Sequence, residues 1–188
     1  MQGVLVCGHC YQQPPPYLAL RSACYFQSTV REMIHRLKYK RARHLALPLG
    51  RLLVPLRAAL PQPGELIVPV PLYSTREAAR GYNQSLLLAQ VLAEELRLPV
   101  ESQALRRRRD TPAQVGLSAA ERQRNVRDAF VAEPSLVKGR DVLLIDDVCT
   151  TGATVSACAD ALRRAGARSV VALTVARALD SPGSVSPP

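Results

Sequence analysis

Residues 142–154, with the sequence VLLIDDVCTTGAT, decide how this 188-residue chain folds. Four apolar residues run directly into two carboxylates, Asp146 and Asp147, and small or hydroxyl-bearing residues with one glycine follow. A short apolar run that ends in turn residues predicts a buried strand. Residues 154–165 then have the apolar spacing of a helix, which Gly166 ends. The stretch therefore predicts a buried strand, a polar turn and a helix in succession.

The rest of the chain repeats this alternation. Helices are predicted at 28–39, at 42–60 with interruptions at two prolines, at 83–98 and at 118–127, and strands at 65–70, about 100–107, 129–132 and 169–176. Strands that alternate with helices form a mostly parallel sheet with helices on both faces, which is an α/β fold. Ligands of such sheets bind beyond the carboxyl ends of the strands, and Asp146 and Asp147 stand at such an end.

The composition favours a basic protein with one core. Hydrophobic residues make up 47% of the chain, and the formal net charge of +10 favours nucleic acid or phosphorylated ligands as partners. Aromatic residues, at 4%, are too sparse for a base-stacking platform of Phe and Tyr. No apolar run is long enough to span a membrane. Five cysteines without a recognisable secretory leader predict a reducing, cytoplasmic location.

The polar turn of the opening stretch has the chemistry of a site for a phosphorylated sugar. Backbone N–H groups and hydroxyls at a helix N-terminus attract phosphate, and Gly152 allows the backbone to approach closely. The two carboxylates can accept hydrogen bonds from vicinal ribose hydroxyls or hold Mg²⁺ through water. No lysine follows the glycine, as it would in a Walker-type loop, and the Rossmann glycine triplet is missing too.

The same stretch resembles the phosphoribosyl pyrophosphate (PRPP) motif of type I phosphoribosyltransferases. The resemblance implies that fold, with Mg²⁺ as the cofactor of PRPP and with Asp146 and Asp147 at the ribose hydroxyls. It also implies a 5-phosphate loop formed by Cys149, Thr150, Thr151, Gly152, Ala153 and Thr154.

Thr150 is the discriminating position of this motif. Purine-salvage members carry an Asp there, placed to exchange a proton with the base, and a threonine hydroxyl is no general base near neutral pH. Purine salvage is therefore disfavoured, but orotate-type members also carry Thr, so phosphoribosyl transfer stays open.

Residues 68–85, VPVPLYSTREAARGYNQS, contain a second polar cluster after a predicted strand. Two prolines stiffen the backbone, and the arginines could clamp a pyrophosphate group; an ordinary polar connection into the next helix is the alternative. The run resembles the ComF family, whose members pair it with a PRPP motif. The resemblance implies a pyrophosphate loop that comprises Pro71, Tyr73, Arg76, Arg80, Gly81, Asn83 and Gln84.

Two further segments resemble ComF proteins. Residues 106–130 match a segment that, in related transferases, is a mobile loop closing over the substrate, which implies roles for Arg109, Gln114, Arg122 and Asn125. Lys38 and Tyr39 match a recurrent pair that either flanks the acceptor side of the cleft as a basic hood or belongs to a basic surface.

The N-terminal cysteines suggest an incomplete zinc site. Cys7 and Cys10 have the spacing of a zinc knuckle. Full ComF chains usually carry two such pairs in a small zinc ribbon, and here only the second is present, with His9 or Cys24 as candidates to complete the ligand set. We expect residues 1–27 to be a remnant of the ribbon with a Pro-rich lead-in, 28–177 the phosphoribosyltransferase-like domain, and 178–188 a disordered tail.

The ComF resemblance implies a role in DNA uptake and natural transformation, together with a helicase-like ATPase. Two hypotheses remain. The chain is an active phosphoribosyltransferase whose acceptor the sequence does not identify, or it is a non-catalytic module that binds PRPP or a nucleotide. In the second case its basic surface would bind single-stranded DNA or a competence partner.

Overall fold

The computed structural model describes residues 14–109 and 128–178, and a four-stranded parallel sheet forms its centre. The strands, in their spatial order, are β1 (Ala19–Tyr25), β6 (Ser169–Arg177), β5 (Asp141–Cys149) and β2 (Leu66–Pro69). All three neighbouring pairs are parallel. Within the central strand β5, Val148 alone is not buried. Such a strand is covered on both faces, which explains its unbroken apolar run.

Helices cover both faces of this sheet. On one face lie α1 (Ser28–Tyr39), α2 (Ala46–Arg51) and α4 (Gln84–Leu96); on the other lie α6 (Ala153–Arg164) and a hairpin of β3 (Leu105–Arg107) with β4 (Phe130–Ala132). Leu143 and Ile145 of β5 pack in the first layer, and Val142 and Leu144 in the second. Successive side chains of a strand point to opposite faces, so β5 anchors both halves of the core.

Several short elements connect these layers. They are α3 (Ser74–Arg80), α5 (Pro134–Val137) and two 3₁₀ turns at Arg43–Leu45 and Val54–Ala59. The predicted helix at 42–60 is thus a six-residue α-helix between two 3₁₀ turns, with Pro55 at the start of the second turn. Gly50 lets α2 approach α4 closely, since a Cβ at this position would lie 2.7 Å from the Cβ of Val91.

The predicted α/β class is confirmed, as are the helix at 28–39 and the strand and helix of the opening stretch. No strand is predicted before residue 65, but Ala19–Tyr25 is a strand that pairs in parallel with β6. Its mixed sequence, ALRSACY, has little apolar periodicity, and the pairing depends on a strand about 150 residues away along the chain. The predicted helix at 118–127 and the tail from 179 lie outside the described residues.

In the part of the chain that the structure describes, no helix combines the length and the apolar character needed to cross a bilayer.

Candidate functional site

Two buried carboxylates lie near the carboxyl end of β5. Asp146 and Asp147 are only 7% and 3% exposed. Asp146 Oδ1 accepts hydrogen bonds from Ser85 Oγ and from the Asp147 N–H, each at 2.9 Å, and Asp147 Oδ1 accepts one from the Val148 N–H at 2.9 Å. The strand continues through both acids to Cys149 rather than ending before them. The backbone therefore fixes both carboxyl groups.

Lys38 supplies a cation to this pair. Its Nζ lies 2.5 Å from Asp147 Oδ2, and the Lys38 side chain is 21% exposed. Within the described residues, this buried oxygen receives no hydrogen bond of normal geometry, so the ion pair is its principal contact. The sequence placed Lys38 in a basic hood without assigning it a partner. Its position four residues after the apolar Ile34, one turn further along α1, was the available signal that it lies near the apolar face of this helix.

The two acids together carry less net negative charge than two free carboxylates would. Burial, and then the charge of neighbouring Asp147, raise the pKa of Asp146 to about 7. For Lys38, burial opposes the charged form, but the carboxylate of Asp147 outweighs it and raises the pKa of the ammonium. Without a ligand, a proton therefore balances much of the charge of Asp146, and Lys38 balances that of Asp147.

The predicted 5-phosphate loop joins these carboxylates to α6. Gly152 stands at the N-cap of α6 with φ +81°, a left-handed conformation that suits glycine. Thr151 Oγ1 accepts a hydrogen bond from the Ala153 N–H at 3.4 Å. The first N–H groups of a helix have no partners within the helix and carry its positive partial charge. The turn therefore presents an anion-attracting helix end beside the two acids.

The predicted pyrophosphate segment is largely helical rather than an open loop. Arg76 and Arg80 lie on α3, and Gly81 ends this helix with φ +81°. Pro71 and Tyr73 precede it. The segment therefore holds its arginines on a short, defined helix beyond the end of β2.

Asn83 and Gln84, from the same prediction, are engaged in internal hydrogen bonds. Asn83 caps α4, since its Oδ1 accepts from the Ser85 N–H at 2.9 Å while its Nδ2 donates to the Val70 carbonyl at 3.0 Å. Gln84 Oε1 accepts a hydrogen bond from Arg80. These contacts hold the end of β2 against the start of α4, which positions Ser85 at Asp146.

The carboxyl end of α1 is attached to the pyrophosphate segment. Tyr82 donates a hydrogen bond to the Leu37 carbonyl, and Arg43 donates to the Gly81 carbonyl at 2.7 Å. The Arg43 guanidinium also lies 4.6 Å from the centre of the Tyr82 ring, and that of Arg80 lies 5.5 Å from the Tyr39 ring. Sequence reasoning missed Ser85, Tyr82 and Arg43 as parts of this assembly. Tyr82 and Ser85 lie in the segment 68–85 but were given no role, and Arg43 belongs to no motif.

Other predicted residues are not brought to the site. Arg109 is exposed just beyond β3, and Cys24 donates its thiol hydrogen to the Val175 carbonyl at 3.0 Å. The remaining predicted positions lie outside the described residues: Cys7, Cys10, Gln114, Arg122 and Asn125. Among the residues that the structure does describe, no three His, Cys, Asp or Glu side chains are grouped as a metal centre.

Comparison with known proteins defines the class and then the family. Residues 83–186 match the phosphoribosyl transferase domain, so the chain is a phosphoribosyltransferase-domain protein. The DNA utilization protein YhgH of Escherichia coli (strain K12) is 39% identical over 180 residues, covering 93% of this chain and 79% of that protein. Competence protein F of Haemophilus influenzae is 34% identical over 180 residues, covering 92% of this chain and 78% of that protein. This chain belongs to the ComF family.

Among solved structures, glutamine PRPP amidotransferase from B. subtilis has a TM-score of 0.47 and 24% identity, covering 69% of this chain and 26% of that one.

Proposed function

We propose that this chain binds PRPP together with Mg²⁺ and serves DNA uptake or utilisation. The observation that carries the proposal is the pair of consecutive buried carboxylates near the end of β5, followed after a short turn by the left-handed glycine at the N-cap of α6. The names of the relatives in E. coli and H. influenzae, which refer to DNA utilization and competence, support the cellular part.

The donor set fits Mg²⁺ that arrives with a phosphorylated ligand. Mg²⁺ prefers oxygen ligands and is usually held by one or two carboxylates, waters and substrate phosphates. Asp146 and Asp147 provide two carboxylates, and the described residues add no third acidic ligand. The bound ion would neutralise charge on the pyrophosphate group as it leaves. Phosphate oxygens and water would complete its coordination.

The residues around this pair have complementary roles in the proposal. Asp146 and Asp147 accept hydrogen bonds from the ribose hydroxyls, the N–H groups at the start of α6 bind the 5-phosphate, and the arginines of α3 face the pyrophosphate. Thr150 provides no general base. An acceptor in a transfer reaction would therefore have to attack the sugar without deprotonation by residue 150.

A second candidate is a PRPP-binding module without turnover, which holds single-stranded DNA or a competence partner on its basic surface. The exposed end of α1 favours this candidate. Tyr39 is 62% exposed there, its ring contacts that of His35, and Lys40 and Arg41 follow it at the surface. Nucleic-acid binding on such a surface would weaken with salt.

Calorimetric titration with PRPP and Mg²⁺ tests the central proposal. We expect the wild type to bind and the double variant Asp146→Asn/Asp147→Asn to bind at least about 100-fold more weakly, because it loses charge-assisted contacts to the ligand. Asp160→Asn is the matched control, since Asp160 is an exposed acid on α6 whose partner is Arg164. A wild type that shows no PRPP binding would contradict the proposal.

Pyrophosphate release separates the two candidates. A transferase releases pyrophosphate from PRPP when a suitable acceptor is supplied, and the double variant does not. The binding module retains PRPP without turnover, and its DNA binding survives the same two substitutions.

A further inference from the structure

The Lys38 ammonium lies where the carboxylate pair would meet a cationic ligand. It contacts Asp147 Oδ2, the one buried carboxylate oxygen among the described residues that otherwise lacks a hydrogen bond of normal geometry. An amine at 2.5 Å and a metal ion cannot both occupy the same side of Asp147 Oδ2. A cation that approaches this oxygen from the side that Lys38 occupies must therefore displace Lys38.

Lys38 is also fixed next to the segment that is expected to hold pyrophosphate. The residues on either side of it are tied to that segment, since Leu37 accepts a hydrogen bond from Tyr82 and Tyr39 contacts Arg80. These contacts hold the end of α1 beside α3, so an ammonium that left Asp147 would remain close to the segment that carries Arg80. An anion bound there would attract it.

We propose that Lys38 is an exchangeable counter-cation that couples entry of the metal to entry of pyrophosphate. In the empty site it neutralises Asp147 and so opposes binding of a free divalent cation. When PRPP arrives with Mg²⁺, the Asp147 carboxylate would become available to the metal, and the Lys38 ammonium would pair with a pyrophosphate oxygen. The inference rests on the proposed PRPP function and adds that Lys38 itself opposes binding of free metal to Asp147.

The two halves of the proposal predict opposite effects of one substitution. In Lys38→Met the side chain keeps its length but loses its charge. Mn²⁺ prefers the same oxygen ligands as Mg²⁺ and should bind the ligand-free variant at least about tenfold more tightly than wild type. Loss of the EPR signal of free Mn²⁺ on titration with protein measures this affinity. Inorganic pyrophosphate without metal should bind about tenfold more weakly, by calorimetry, because the charge of Asp147 is then no longer neutralised and no ammonium can turn to the anion.

Lys138→Met is the matched control, because Lys138 is an exposed lysine that follows α5 and lies outside the Lys38–Asp147 ion pair. It should leave both affinities within about twofold of wild type. Unchanged or weaker Mn²⁺ binding in Lys38→Met would overturn the proposal, and so would unchanged pyrophosphate binding. These failures differ from failure of the proposed function, in which the wild type does not bind PRPP with Mg²⁺ at all.

A second pair of variants keeps the test valid if Lys38→Met does not fold. Asp147→Asn releases Lys38. At about pH 8.5, where Asp146 is ionised as well, Asp146→Asn removes an equal charge from the same site and leaves the ion pair in place. Metal-free pyrophosphate should therefore bind more tightly to Asp147→Asn than to Asp146→Asn. Equal affinities would show that Lys38 does not reach the anion, and would overturn the inference.

Discussion

The buried carboxyl of Asp146 should make the ligand-free protein less stable as the pH rises through neutrality. Burial and the neighbouring charge of Asp147 raise its pKa from 3.8 to about 7. The folded protein thus holds this proton more tightly than the unfolded chain does. The stability contributed by protonation is fully present below the unfolded pKa of 3.8 and is lost as the pH rises through about 7.

Asp146→Asn removes this dependence, because an amide does not ionise and its oxygen can still accept from Ser85. A shift of about 3 pKa units corresponds to a loss on the order of 4 kcal/mol if the site does not relax. We therefore expect Asp146→Asn to gain at least ~1 kcal/mol of stability relative to wild type between pH 5 and pH 8.5. Urea denaturation in the presence of EDTA and without PRPP measures this difference.

Asp141→Asn is the control with the opposite sign. A hydrogen bond from Arg168 is the main cause that lowers the pKa of Asp141, with a further contribution from Ser169. Its stabilising contribution is present above the unfolded pKa and is lost only as the pH falls through the lowered value. The unfolding free energy of Asp141→Asn, plotted against pH, should therefore run parallel to that of wild type from pH 5 to 8.5. A raised pKa of Asp146 is refuted if the unfolding free energy of Asp146→Asn also runs parallel to that of wild type over this pH range.

Three further substitutions test the supports of the site, each by urea denaturation. Ser85→Ala removes the hydroxyl that donates to Asp146 Oδ1 and should cost about 1–2 kcal/mol; no loss would mean that the hydrogen bond is not formed. Gly152→Ala places a Cβ at φ +81° and should cost about 1–2 kcal/mol and weaken PRPP binding, and unchanged values would contradict the left-handed turn. Gly50→Ala forces a Cβ to within 2.7 Å of the Val91 side chain and should cost about 1–3 kcal/mol, whereas a neutral result would show that α2 can move away from α4.

The opening stretch shows how much of the site was accessible to sequence reasoning. Residues 142–154 predicted a buried strand, two carboxylates and a glycine at the start of a helix, and all three are present. The prediction succeeded because these features are local. The short apolar run of residues 142–145 is typical of a central strand that is buried on both faces. The glycine is needed because the turn adopts positive φ at this position.

Contacts between distant segments were not accessible. The sequence placed Lys38 in a basic hood and gave Ser85 no role, although one pairs with Asp147 and the other with Asp146. Nothing local to either residue indicates its partner, which is 109 residues away for Lys38 and 61 for Ser85. The register of the sheet and the packing of α1 and α4 on it bring them together.

The sequence by itself determined the α/β class, the acidic pair and the phosphate-loop turn. Each depends on a short local pattern, either of apolar and polar residues or of a glycine that can adopt positive φ. The tertiary structure alone decided that β1 closes one edge of the sheet, that Asp146 holds its proton until about pH 7, and that a lysine neutralises Asp147. These properties depend on burial and on distances between segments. They arise only when the chain has folded around the sheet.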